Sequence, residues 1–156
     1  MCDLMKRILL PKISIAYIPR TSNRKDPEKK EELRDRIRAA IVSSGNDFEE
    51  LKQNCLKEDY LSLDVTYRLY NDPKVEGRSR KDLDNLLKIL LDVLPEKLSI
   101  QDNKGRKGLG IISDDKDTKI FEICCRKKLV EVESEEGMDL EIYALDEAEA
   151  RLAPKV

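Results

Sequence analysis

Asp82, Asp84 and Lys88 open an apolar-periodic segment, and Asp114-Asp115 lie in a polar turn further along the chain. Carboxylates with no nitrogen or sulfur ligand beside them suit Mg²⁺, with Mn²⁺ as its substitute, and not zinc. A divalent ion held by Asp82, Asp84 and Asp115 next to the Lys88 ammonium could activate water and offset charge developing on a phosphodiester. Arg78, Arg80 and Lys81, just upstream, would hold the backbone of the nucleic acid. Spacing alone does not carry this reading, so context must. Sixteen Asp in 156 residues yield about 1.6 Asp-x-Asp pairs by chance, and the chain has two.

A plainer reading of the same residues is complete in itself. Asp82 caps a helix, Asp84 sits at the positive end of the helix dipole, and Asp84 with Lys88 makes an ordinary i, i+4 ion pair. Asp114-Asp115 then simply open a strand. The catalytic reading requires the two acidic clusters to meet, which a right-handed strand–helix–strand crossover permits if helix and following strand flank one rim.

Other chemistry is excluded by composition. With no histidine, Ser-His and Cys-His nucleophiles, HExxH zinc sites and imidazole acid–base catalysis cannot occur. The four cysteines, Cys2, Cys55, Cys124 and Cys125, include no CxxC pair, and adjacent Cys124 and Cys125 in a strand face opposite ways. They read as packing residues. Gly105, Gly108 and Gly110 run GxxGxG ahead of a strand, which matches neither a dinucleotide fingerprint nor a phosphate loop and reads as a surface loop.

The positioning elements follow from periodicity. Residues 8–18 place Leu9, Ile13, Ile15 and Tyr17 on one face of a strand. Asp26-Pro27 starts a helix carrying Leu33, Ile37 and Ile41 that stops at Gly45, and Asp47 with Glu50 opens a second, short helix with Phe48, Leu51 and Cys55. Residues 60–70 alternate strictly, with Leu61, Leu63, Val65, Tyr67 and Leu69 inward. Leu83, Leu86, Leu87, Leu90, Leu91 and Leu94 form the apolar stripe of a helix over 82–94, ended by Pro95. Strands near 118–130 and 138–145 complete the chain, and the Ala-Glu-rich tail from 146 forms one helical turn or frays. The expectation is a single α+β domain over 1–156, a mixed sheet flanked by helices in the order β-α-α-β-α-β-β. The crossover from 60 to 130 predicts a parallel pair and the last turn predicts a hairpin.

The chain is 40% hydrophobic and 40% charged with a net charge of −2, a composition that fits a soluble domain with a core. No apolar run approaches the ~20 residues of a membrane span, and the amino terminus lacks a secretory pattern, so a cytoplasmic location is expected. Residues 131–150 hold nine acids and no Lys or Arg, which leaves residues 1–130 at +5. That positive charge gathers at Arg24-Lys25, Lys74 to Lys81, Lys104 to Lys107 and Arg126 to Lys128, as a phosphate-backbone footprint would or as a densely solvated surface would.

The run Arg80-Lys-Asp-Leu-Asp-Asn-Leu-Leu-Lys88, the Ser113-Asp114-Asp115 turn before a strand, and Ser22-Asn23-Arg24 after the first strand together resemble the RusA-like Holliday-junction resolvases. The element order agrees across most of residues 8–145. The resemblance implies a Mg²⁺-dependent endodeoxyribonuclease, a homodimer that binds four-way DNA junctions and makes paired, symmetrical nicks. It also implies Asp82, Asp84 and Asp115 as metal-binding catalytic acids, with Asp114 beside them and Lys88 assisting. Arg24 joins Arg78, Arg80 and Lys81 on the DNA. A non-catalytic binding module of the same fold, or a metal-dependent nuclease for flap DNA or RNA, are the competing readings. The connection 95–112 is longer than that family usually shows, and its Lys104, Arg106 and Lys107 either contact DNA or keep a long loop solvated, the second being the preferred reading. The acidic 131–150 stretch is expected to face away from DNA. Outward apolar residues are too few to nominate a dimer surface.

Overall fold

The computed structural model describes residues 6–19, 27–70, 83–97, 106–113 and 119–151. Along these the chain forms β1 (Arg7–Ile15), α1 (Pro27–Ser43), α2 (Phe48–Lys57), β2 (Leu61–Tyr70), α3 (Leu83–Val93), β3 (Ile120–Val130), a 3₁₀ turn at Glu133–Glu135, β4 (Gly137–Ala144) and α4 (Glu147–Ala150). The fold is α+β, one mixed four-stranded sheet with helices packed on one face.

Local chemistry places each boundary. Pro27 suits the first turn of α1 because its missing N–H has no partner there in any case. Gly45 closes the helix at φ +88°, a left-handed conformation that favours glycine. Asp47 caps α2 by accepting the Glu50 N–H at 3.1 Å. In α4 the Glu149 carboxylate accepts the Asp146 N–H at 3.0 Å, so the tail does form its helical turn.

The strand order is β1-β4-β2-β3. β2 and β3 are parallel, as the crossover predicts, and β4 runs antiparallel to both β1 and β2. The hairpin expected of β3 and β4 is replaced by an insertion, because β4 crosses the end of β2 and fills the gap between β2 and β1. Residues 131–136 reach about 20 Å when extended, twice the ~10 Å needed to step over one strand. The step is held by the Tyr70 N–H donating to the Glu136 carboxylate (2.7 Å) and by the Arg68 guanidinium donating to the Glu135 carbonyl. Gly137 then passes so close to β1 that a Cβ there would lie 2.3 Å from the Ile15 carbonyl oxygen.

The alternation of β2 puts Leu61, Leu63, Val65, Tyr67 and Leu69 against the helices, all buried, with Leu10, Ile13 and Ile15 of β1 and Met138, Leu140 and Ile142 of β4 beside them. Leu33, Ile37 and Ile41 of α1 cover them together with Leu51 and Cys55 of α2. The apolar stripe of α3 is rotated from its expected centre. Leu86, Ile89, Leu90 and Val93 are buried, while Leu83, Leu87 and Leu91 sit at the margin. A helix that is apolar on more than half its circumference can be buried in several rotations. Here Leu109, Ile111 and Ile112, all buried, belong to the same core and help to select one.

The other sheet face is polar. Glu122 accepts from Lys6 and Ser62, Arg126 donates to Asp64 and Thr66 (both 2.8 Å), and Asp139 accepts from Ser14 (2.7 Å) and pairs with Arg68 (3.2 Å). These cross-strand pairs take the place of a second helical layer.

Candidate metal and nucleic-acid site

Three contacts fix α3, the element that carries the candidate acids. The buried Tyr67 hydroxyl donates to the Leu86 carbonyl at 3.1 Å, tying the second turn of α3 to the upper part of β2. Burial drives the Tyr67 hydroxyl well above its ordinary range, so it remains a donor at any physiological pH. At the other end the Lys30 ammonium of α1 meets the Asp92 carboxylate at 3.0 Å, with side chains only 4% and 14% exposed. The chain leaving α3 is then clasped by residues 108–112, where the Gly108 N–H donates to the Glu96 carbonyl (2.9 Å) and the Leu109 N–H to the Val93 carbonyl (2.8 Å). Gly108 is obligatory there, since a Cβ would lie 2.1 Å from the Pro95 carbonyl oxygen.

On this frame the first two turns of α3 present Asp84 and Lys88 to solvent. Their i, i+4 spacing brings Nζ to 2.8 Å from Oδ2, with side chains 63% and 43% exposed. An exposed carboxylate with a neighbouring ammonium can contribute an oxygen ligand and a phosphate contact without the desolvation cost a buried pair would carry.

Asp82, Asp114, Asp115, Arg24, Arg78, Arg80 and Lys81 lie outside the described residues. Among the described residues no three or more Asp, Glu or Cys side chains converge on a metal-sized position. The borders of the 114–118 segment do have places. Ile112 bridges Pro95 in parallel, beyond the last turn of α3. Nine residues separate Asp84 from Val93, about 14 Å along the helix. At the far border, the Lys119 carbonyl accepts the Leu61 N–H at 2.7 Å. Leu61 is six residues from Tyr67, about 20 Å down the strand. The described residues thus bring Asp84 and Lys88 together and bring neither border of 114–118 to them.

The long connection is structured where it is described. Arg106 pairs with Glu31, and the Arg34 guanidinium donates to the Lys107 carbonyl at 2.6 Å, so this stretch folds onto α1. Only the apolar Leu109, Ile111 and Ile112 hint at this packing in the sequence. It leaves a cavity of about 320 Å³ between α1, α2 and residues 107–110, where the Arg38 guanidinium lies over the Phe48 ring at 4.7 Å.

The acidic stretch divides. Asp139 and Glu141 point to the helix-free sheet face, away from α3. The turn 131–136 does not, because it caps the Tyr70 end of β2, the end that the start of α3 also overlies. Cys124 and Cys125 take opposite faces, as their adjacency requires. Arg126 donates to the Cys124 sulfur (3.2 Å), and Cys125 packs on the core, where burial pushes its thiol up. Among the described residues no helix is long and apolar enough to cross a membrane. Comparison with protein-family models, with curated proteins and with solved structures finds nothing that matches this chain.

Proposed function

We propose that this chain is a Mg²⁺-dependent, structure-selective endodeoxyribonuclease that resolves four-way DNA junctions by paired phosphodiester hydrolysis, acting as a cytoplasmic homodimer. The observation that carries the reading is the exposed Asp84–Lys88 pair at the start of the crossover helix, within the Arg80–Lys88 run that resembles the RusA-like resolvases. An α+β frame with a parallel β2-α3-β3 crossover is the architecture such a site needs.

Asp84 fits an oxygen-only ligand set, because its carboxylate is solvent-facing and its partner ammonium is surface-exposed and displaceable. In this reading Asp82, Asp84 and Asp115 hold Mg²⁺, or Mn²⁺ in its place, with Asp114 adjacent. Bound Mg²⁺ supplies Lewis acidity and a lowered water pKa. Lys88 orients a non-bridging phosphate oxygen and offsets its negative charge, while Arg24, Arg78, Arg80 and Lys81 hold the DNA backbone on either side.

The test is cleavage of a labelled four-way junction with and without Mg²⁺, using wild type, Asp84→Asn and Asp115→Asn. Metal-dependent paired nicking that both variants lose while still binding the junction supports the reading. Junction binding without nicking by any of the three, in Mn²⁺ as well, selects a non-catalytic binding module. Preferential cutting of flap DNA or RNA selects a different nuclease.

A further inference from the structure

The two edges of the sheet differ in kind. β1 carries Pro11 and two register irregularities against β4, devices that keep an edge from pairing with another strand. β3 has neither. Nine of its eleven residues, Glu122 to Val130, pair with β2 in unbroken register, and among the described residues no strand lies on its outer side. Apolar side chains crowd that edge: Phe121 is 51% exposed, Ile123 38% and Leu129 68%. Phe121 is held in place by an edge-on contact with Tyr60, ring centroids 4.7 Å apart.

A closed two-fold pairing of one edge with its own copy must be antiparallel and must keep the helix-bearing faces on the same side, so only residues of equal parity can oppose each other. Three central registers satisfy this. Centring on Arg126 sets two guanidinium groups face to face. Centring on Cys124 sets Leu129, the most exposed apolar residue, opposite Lys119. Centring on Cys125 sets Phe121 against Leu129 and Glu122 against Lys128, each twice by symmetry, with Ile123 beside the Lys127 stem. In that register the sequence of β3 complements itself in both charge and apolarity, and Arg126 between the pairs is already neutralised by Asp64.

We propose that β3 is the homodimer interface, a second copy of this chain adding its own β3 antiparallel about Cys125 to make one eight-stranded sheet. The pairing stands on the geometry of β3 alone and its test reads mass, so it can fail while the nuclease reading holds, and the reverse. Purified full-length chain is examined by light scattering after size exclusion across a concentration series. Wild type is expected at twice the 18.0 kDa of one chain. Leu129→Asp and Lys128→Glu, both at exposed positions, are each expected to weaken the dimer about tenfold or more by opposing like charges or removing the apolar pair. Glu122→Lys combined with Lys128→Glu, which restores opposite charges across the axis, is expected to recover association. A monomer at every concentration overturns the proposal, as does a dimer that neither single variant weakens.

Discussion

The Lys30–Asp92 pair between α1 and α3 should behave as a buried ion pair whose two halves cannot be removed separately. With the Lys30 side chain 4% exposed, Asp92→Ala leaves an ammonium in the core without that partner. Breaking such a pair from one side costs 3–5 kcal/mol in general, and Lys30 keeps a further interaction, which places the expected loss at about 3 kcal/mol. For a chain of this size that is a fall in Tm of about 6–12 °C. Replacing both members with apolar residues of similar volume, Lys30→Met with Asp92→Leu, removes the desolvation cost along with the attraction and should return stability to within about 1 kcal/mol of wild type. Guanidinium unfolding of wild type, Lys30→Met, Asp92→Leu and the double variant, a complete double-mutant cycle, gives the coupling energy directly. A loss below about 1 kcal/mol for Asp92→Ala, or a double variant as unstable as the single, would refute the view that this pair fixes α3.

Gly108→Ala should destabilise by about 2–3 kcal/mol, since backbone carbonyls 2.1 and 2.6 Å from the new Cβ cannot rotate away; an unchanged denaturation midpoint contradicts this. The Cys55 thiol is pushed up to about 12, chiefly by burial and then by Glu58, so the folded chain keeps its proton while the unfolded chain loses it above its ordinary value of 9.0. Stability from this group is therefore complete below pH 9 and lost as pH rises towards 12, and Cys55→Val should flatten the pH dependence of unfolding in that window. Finally, the β3 pairing sets Lys119 of the second copy opposite Glu131, at the sheet end nearest Asp84, so heterodimers of Asp84→Asn and Asp115→Asn should regain junction nicking that neither variant shows alone. A mixture that forms heterodimers yet stays inactive excludes a shared site.

What the sequence discloses depends on how local the governing physics is. β2 and α1 were readable because each buries a full face, and the period of two or the four-residue spacing of Leu33, Ile37 and Ile41 records that burial directly. The Asp84–Lys88 contact was readable for the same reason, being a property of one helix turn. The place of β4 was not, because its turn length permits both a hairpin and an insertion, and the choice is made by Met138, Leu140 and Ile142 completing a core between two strands distant in sequence. β3 hid its role differently. As an edge strand its helix-side residues are only half covered, so Lys127 and Leu129 alternate on one face and the pattern reads as neither core nor surface.

Charge shows the same division. Summed along the chain, residues 1–130 are basic, which suggests a surface ready for phosphates. In three dimensions Arg68, Arg106 and Arg126 are engaged with Asp139, Glu31 and Asp64. A cation paired on its own sheet must give up that pair before it can hold a phosphate, so these three add little to binding of a polyanion. The electrostatic case for DNA therefore rests on the residues around the start of α3, with the acidic turn 131–136 opposing them at the same end of the sheet. Neutralising Glu133 and Glu135 to Gln should accordingly tighten junction binding, most at low salt where their repulsion of the DNA is least screened, so that the salt dependence steepens. Equal affinity before and after that change, measured at low salt, would show that the DNA passes elsewhere and would remove the start of α3 from consideration as its seat.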